Sequence, residues 1–141
     1  MSSRIGPAFA DTNYWIALAL NRDQYHDRAA RWARRLYGPI ITTSGVLLEV
    51  GNSLSEQPAR QECVRLVEYI RSHHRIHVVE LTEALFDRGW QLFKDRSDKT
   101  WSLVDCISFV VMDDNRLHDA LTADHDFEQA GFRALLLDEP S

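Results

Sequence analysis

Short apolar segments alternate along this chain with longer segments of helical periodicity, and this alternation strongly restricts the folds that the chain can adopt. Strands are predicted at 8–11, 40–43, 76–81, 120–122 and 133–137. Helices are predicted between them at 12–20, 24–37, 44–54, 59–72, 82–95 and 102–115. Such alternation is typical of a parallel sheet covered by helices on both faces. We therefore predict an α/β fold, a three-layer α/β/α sandwich around a mainly parallel sheet of four or five strands.

The length and composition fit a single domain that spans residues 1–141. Of the 141 residues 45% are hydrophobic, and the longest apolar run, Tyr14 to Leu20, is far too short to span a membrane. The N-terminal segment lacks the apolar stretch of a secretory signal, and only two cysteines occur, so we expect a cytoplasmic protein. The net charge of −5 argues against binding nucleic acid through bulk positive charge, but it is compatible with an enzyme that acts on nucleic acid.

Four acidic residues are predicted near the carboxyl edge of the sheet. Asp11 directly follows the first predicted strand, and Asp124 follows the fourth. Parallel strands end at one shared edge, where sites commonly form. Glu49 interrupts an apolar helical stretch, and Asp105 lies in the first turn of the helix that begins near Ser102. The fold class can therefore bring residues from both halves of the chain together.

Each of these acids also has a purely structural explanation. Asp11 begins a run of good helix N-caps, and Ser102 with Asp105 has the spacing of a capping box. Asp124, with a second acid two residues later, suits a helix cap as well as a cation ligand. Glu49 could face solvent between two apolar neighbours, whereas an unpaired carboxylate on the core face would be strongly unfavourable. The residues alone leave both interpretations open.

A cluster of carboxylates would suit one particular chemistry. Oxygen ligands are those that Mg²⁺ and Mn²⁺ prefer, and water bound to such an ion becomes a better nucleophile toward a phosphodiester. The sequence contains no serine-hydrolase elbow, zinc-protease helix, P-loop or dinucleotide-binding glycine motif that would point to another mechanism.

Arginines on the second predicted helix are candidates for contact with a phosphate-bearing substrate. Arg28, Arg31 and Arg35 lie close to one helical face, and guanidinium groups suit bidentate contacts with phosphate. A solvated helix face explains the same pattern equally well.

Four motifs together resemble a known family. They are Asp-Thr-Asn at 11–13, the glutamate at 49, Ser-Leu-Val-Asp-Cys-Ile-Ser at 102–108 and Leu-Thr-Ala-Asp-His-Asp-Phe at 121–127. In this order, over nearly the whole chain, they resemble the PIN domain, and most closely the bacterial toxin ribonucleases of the VapC type. Each motif alone is weak, whereas the set of four is fairly specific.

The resemblance implies an activity and a set of roles. It implies RNA cleavage that depends on Mg²⁺ or Mn²⁺, in a protein that commonly forms dimers and is silenced by a cognate antitoxin. By resemblance, the catalytic and metal-binding acids are Asp11, Glu49, Asp105 and Asp124, with Asp126 as an auxiliary. The polar residues that would orient these carboxylates are Thr12, Asn13, Ser102 and Thr122. Asn13 departs from the family pattern, in which a small hydroxyl residue is more usual.

Aromatic residues of the early helices suggest partners. Trp15, Tyr25, Trp32 and Tyr37 exceed what one small core should need, so we expect them to be exposed. We therefore predict a homodimer with a groove that accepts an apolar helix of an antitoxin.

Two alternatives remain at this point. A PIN-like fold could be kept as a non-catalytic module that binds RNA or protein, although none of the four acids is missing. A phosphatase or receiver domain could instead use Asp11 as nucleophile or phosphoacceptor. Such phosphatases often need a second aspartate where Asn13 stands, and a receiver needs a lysine late in the chain, where the last lysine is Lys99.

Overall fold

The computed structural model describes residues 4–140, so residues 1–3 and 141 of the predicted domain lie outside the described part. Its centre is a five-stranded sheet with the strand order β3-β2-β1-β4-β5, and every neighbouring pair is parallel. The strands are β1 (Ala8–Ala10), β2 (Ile40–Thr43), β3 (Ile76–Val79), β4 (Asp119–Leu121) and β5 (Arg133–Ala134). The predicted fold class is therefore confirmed.

Seven α-helices connect and cover the strands in the described part of the chain. They are α1 (Thr12–Ala19), α2 (His26–Ala33), α3 (Ser44–Ser53), α4 (Ala59–Ser72), α5 (Glu83–Asp95), α6 (Leu103–Asp114) and α7 (His125–Gln129). The central strand β1 is fully buried along its length, as expected for a strand covered on both faces. None of the helices described here is both long and apolar enough to cross a membrane.

Some predicted boundaries are wrong for identifiable reasons. The predicted strand 133–137 is a strand of two residues followed by the 3₁₀ turn Leu135–Leu137. The Asp138 N–H donates to the Leu135 carbonyl at 3.0 Å, which closes this turn, and its first two leucines are fully buried. The predicted helix 24–37 is shorter at both ends. At its C-terminal end, the following residues pair with the segment before β1 through a hydrogen bond from Tyr37 N to Ile5 O of 2.8 Å. Helix α7 was not among the predicted helices.

The tryptophans of the first two helices are buried, which contradicts the expectation that they would be exposed. Trp15 is 1% and Trp32 3% exposed. Each indole N–H donates a hydrogen bond, from Trp15 to the Thr42 hydroxyl at 3.4 Å and from Trp32 to the Asp138 carbonyl at 2.9 Å. An indole with a partner for its N–H can be buried at little cost. Of the four predicted aromatics, only Tyr37 is largely exposed, since Tyr25 is half-buried.

The predicted basic face of α2 is used for structure. Arg28 and Arg31 both form ion pairs with Glu139, at 3.1 and 2.5 Å, and Arg28 also donates to the Leu136 carbonyl at 2.9 Å. These two arginines therefore tie the segment after β5 to α2.

Candidate active site

Three carboxylates meet at the carboxyl edge of the sheet. Asp11, Asp105 and Asp124 each offer an oxygen atom within 4.8 Å of those of the other two. Asp11 follows β1, Asp124 follows β4, and Asp105 lies in the first turn of α6. Since β1 and β4 are parallel neighbours, the residues that follow them reach the same edge. We refer to these three residues as the acidic cluster.

Asp11 is held by side chains and does not act as a helix cap. It is 4% exposed, and its side chain makes no cap hydrogen bond to α1. Instead, its Oδ2 accepts a hydrogen bond from the Thr122 hydroxyl at 2.9 Å and a longer one from the Asn13 amide at 3.4 Å. The Asn13 amide also donates to the Thr122 oxygen at 3.0 Å, and its carbonyl accepts from the Ala123 N–H at 3.0 Å. The capping explanation therefore fails for this residue.

Asp105 takes part in a helix cap and also belongs to the acidic cluster. It is 8% exposed and forms a capping box with Ser102. The Asp105 N–H donates to the Ser102 hydroxyl at 3.0 Å, and the Ser102 N–H donates to Asp105 Oδ2 at 3.3 Å. This reciprocal pair fixes the carboxylate at the start of α6, where it also faces Asp11 and Asp124.

Asp124 is a helix cap that also belongs to the cluster. Its Oδ1 accepts the Asp126 N–H at 2.8 Å at the start of α7, and its own N–H donates to the Thr122 hydroxyl oxygen at 3.1 Å. Asp126 is half-buried and lines the same cavity, but it is not among the three clustered carboxylates.

Glu49 lies at the cavity beside the cluster. The Thr12 hydroxyl donates to its Oε1 at 2.6 Å, so the first residue of α1 orients a carboxylate of α3. Glu49 is half-buried, and its charge contributes to raising the pKa of Asp11. The four predicted acids therefore line one cavity, although only three come within 4.8 Å of one another.

The cavity has a volume of about 580 Å³ and contains residues that the sequence did not single out. Asn52, Ser53 and Thr100 line it together with the acids. Asn52 follows Glu49 by three residues and so lies on the same face of α3, a helical spacing that could have identified it.

Burial and mutual repulsion disfavour the charged forms of the clustered acids. Burial, followed by the charge of Asp105, raises the pKa of Asp11 to about 7, against the lowering effect of its hydrogen bonds. Burial, followed by the charge of Asp124, raises the pKa of Asp105 to about 6. A bound divalent cation would remove this repulsion, and three carboxylate oxygens at such spacing are a donor set that Mg²⁺ or Mn²⁺ prefers. The residues present therefore fit the ion that the sequence predicted.

Comparison of the sequence with models of known protein families identifies the family. The profile of the PIN domain matches residues 8–133. The chain therefore belongs to the PIN-domain family.

Within that family, the chain is a homologue of the VapC endonucleases. It is 32% identical over 126 residues to VapC20 from two strains of Mycobacterium tuberculosis, a protein described as a 23S rRNA-specific endonuclease. The match covers 88% of this chain and 94% of that relative. The crystal structure of Mycobacterium tuberculosis VapC20, described as a Sarcin-Ricin loop cleaving toxin, superimposes on this structure with a TM-score of 0.83. The superposition covers 89% of this chain and 96% of that one, at 28% sequence identity. VapBC2 from Rickettsia felis shares the fold at 12% identity and a TM-score of 0.62, covering 88% of this chain and 92% of that one.

Proposed function

We propose that this protein is a Mg²⁺- or Mn²⁺-dependent endoribonuclease, the toxin of a toxin–antitoxin pair that acts in the cytoplasm. The observation that carries the proposal is the convergence of Asp11, Asp105 and Asp124 in one solvent-accessible cavity. Membership of the PIN-domain family and likeness to an endonuclease over most of the chain support the same activity.

In this proposal Asp11, Asp105 and Asp124 hold the ion, with Asp126 as an auxiliary. The ion, when bound, supplies Lewis-acid stabilisation of the phosphate and a water molecule of lowered pKa. Thr122 and Asn13 keep the Asp11 carboxylate aimed at the cavity, and Ser102 does the same for Asp105.

Glu49 has a different task in this proposal. Its carboxylate, fixed by Thr12, faces the cavity without joining the cluster, so it is placed to orient a water molecule for attack on phosphorus. The attacking water gives up a proton, a P–O bond of the RNA backbone breaks, and the departing oxygen takes up a proton. No nucleophilic side chain is needed.

The likeness to VapC20 makes ribosomal RNA the first substrate to test, because that relative is described as specific for 23S rRNA. A cognate antitoxin and a homodimer are also part of the proposal. Support for such contacts comes from large apolar side chains that are exposed on α5, namely Phe86, Trp90 and Phe93, and from a groove of about 610 Å³ beside the exposed Leu48.

An RNA cleavage assay with purified protein tests the activity. We expect cleavage with Mn²⁺ or Mg²⁺, none with chelator, and a loss of at least about a hundredfold in Asp105→Asn. Asp113→Asn is the matched control, because Asp113 is an exposed acid near the other end of the same helix. Cleavage that persists in chelator, or that Asp113→Asn reduces as much as Asp105→Asn, would contradict the proposal.

A further inference from the structure

The cavity that would receive RNA is strongly acidic. Five carboxylate residues line it, namely Asp11, Glu49, Asp105, Asp124 and Asp126, and of the described residues around it none is a lysine or an arginine. An ion bound to the cluster would neutralise part of this charge at the scissile phosphate. The neighbouring phosphates of the same strand would still be repelled unless a cation at the rim of the cavity meets them.

One loop carries positive charge next to residues that line the cavity. Residues 96–101 connect α5 to the cap of α6, and Thr100 and Ser102 line the cavity. The Lys99 N–H donates to the Arg96 carbonyl at 3.0 Å, which closes the loop into a turn. Trp101, which packs edge-on against Phe109 at 5.0 Å, anchors the end of the loop in the core.

Lys99 is the cation of this loop that is left for a ligand. The Arg96 guanidinium is taken up by a two-point ion pair with Asp98, at 2.9 and 3.0 Å. Lys99 forms no ion pair with any residue that the structure describes, and its Nζ lies 6.0 Å from the centre of the Trp101 ring. Lys99 directly precedes Thr100, which lines the cavity.

We propose that Lys99 is a substrate-positioning residue, which binds a phosphate of the RNA strand next to the scissile one as the strand crosses the acidic cluster. This proposal rests on the proposed ribonuclease function and adds to it the residue that holds the strand. The turn closed by the Lys99 N–H holds the lysine backbone beside Thr100, and the Trp101 ring is within cation–π reach of the ammonium group.

The test compares Lys99→Gln with Lys99→Arg and with the control Lys94→Gln. Lys94 is an exposed lysine in the last turn of α5. Cleavage kinetics of an RNA oligonucleotide at saturating Mn²⁺ give KM and kcat. Fluorescence anisotropy with a labelled single-stranded RNA gives the Kd and its salt dependence, in the Asp11→Asn background so that the RNA stays intact. Thermal melts establish that each variant is folded.

We expect Lys99→Gln to raise KM and Kd about tenfold, with little change in kcat. The slope of log Kd against log salt should fall by about one, as for the loss of one phosphate contact. Lys99→Arg should restore most of the affinity, and Lys94→Gln should match the parent. Unchanged KM, Kd and salt slope in Lys99→Gln would overturn the proposal, as would a loss equalled by Lys94→Gln. If the parent protein fails to cleave RNA, the proposed function fails, and the anisotropy measurement still decides the role of Lys99.

Discussion

The Thr122 hydroxyl donates its single hydrogen to Asp11 Oδ2, across 111 residues of sequence and between two neighbouring strand ends. The same oxygen accepts hydrogen bonds from the Asn13 amide at 3.0 Å and from the Asp124 N–H at 3.1 Å. A hydroxyl has one hydrogen and two acceptor positions, so this arrangement is complete. Thr122 thus couples the orientation of Asp11 to the backbone of Asp124.

Replacing Thr122 should weaken both ion binding and folding. In Thr122→Val, Asp11 loses its short hydrogen bond and two donors lose their acceptor, so we expect the Mn²⁺ affinity to fall about 10- to 100-fold. The free energy of unfolding should fall by about 1–3 kcal/mol. Calorimetric titration with Mn²⁺ measures the affinity, and Thr122→Ser, which keeps the hydroxyl, is the control. An unchanged affinity in Thr122→Val would show that Asp11 needs no such support.

Asn substitutions of Asp11 and Asp105 test the ion site, and at Asp105 the substitution also separates it from helix capping. Each removes one negative charge from a repelling cluster, so stability in chelator should be unchanged or higher. The capping box at Asp105 survives, because an Asn oxygen can still accept the Ser102 N–H. Mn²⁺-dependent cleavage should fall by about two orders of magnitude or more. Thermal melts and cleavage assays measure the two effects, and cleavage near the original rate in both variants would exclude the four-carboxylate mechanism.

The protein without an ion should lose stability as the pH rises. The folded-state pKa of Asp11 is about 7 and that of Asp105 about 6, both above the ordinary aspartate value of 3.8. Stability from the protonated acids is therefore fully present below the unfolded pKa and is lost as the pH rises through about 6 to 7. We expect urea denaturation in chelator to show that the free energy of unfolding falls by about 2–4 kcal/mol between pH 5 and pH 8. In Asp11→Asn the free energy of unfolding should depend less steeply on pH. An equally steep pH dependence in that variant would rule out Asp11 as the group responsible.

Replacing either of two helical glycines by alanine should change the stability of the protein, in opposite directions at the two positions. A Cβ at Gly89 of α5 would collide with the Ile107 side chain of α6, whereas a Cβ at Gly51 of α3 would meet nothing within 4 Å. We expect Gly89→Ala to destabilise the protein by about 1–3 kcal/mol through overpacking. Gly51→Ala should stabilise it by up to about 1 kcal/mol through helix propensity. Denaturant melts measure both, and equal effects would mean that α5 can shift away from α6 freely.

Parts of the site follow from local spacing in the sequence and from the predicted fold class. The capping box of Ser102 and Asp105 follows from a spacing of three residues, and the meeting of Asp11 with Asp124 follows from the shared edge of parallel strands. The position of Glu49 was less certain, because packing of the whole fold decides which way α3 is rotated.

The errors concern partners that are distant in sequence. The burial of Trp32 depends on the carbonyl of Asp138, which is 106 residues away. The ion pair of Arg31 with Glu139, which is 108 residues away, was likewise not predicted, and phosphate contact by this arginine stays a prediction. Composition and periodicity carry no information about such pairs, so side-chain exposure and long-range ion pairs were the least predictable properties.

The strand order has a consequence for the time at which activity can arise during synthesis. The central strand β1 has β4 as one of its two neighbours, and β4 is made more than a hundred residues later. While the chain is still growing, Asp11 is already present but Asp124 is not, and no acidic cluster exists. A nascent chain on the ribosome therefore cannot cleave RNA until β4 has emerged and inserted beside β1.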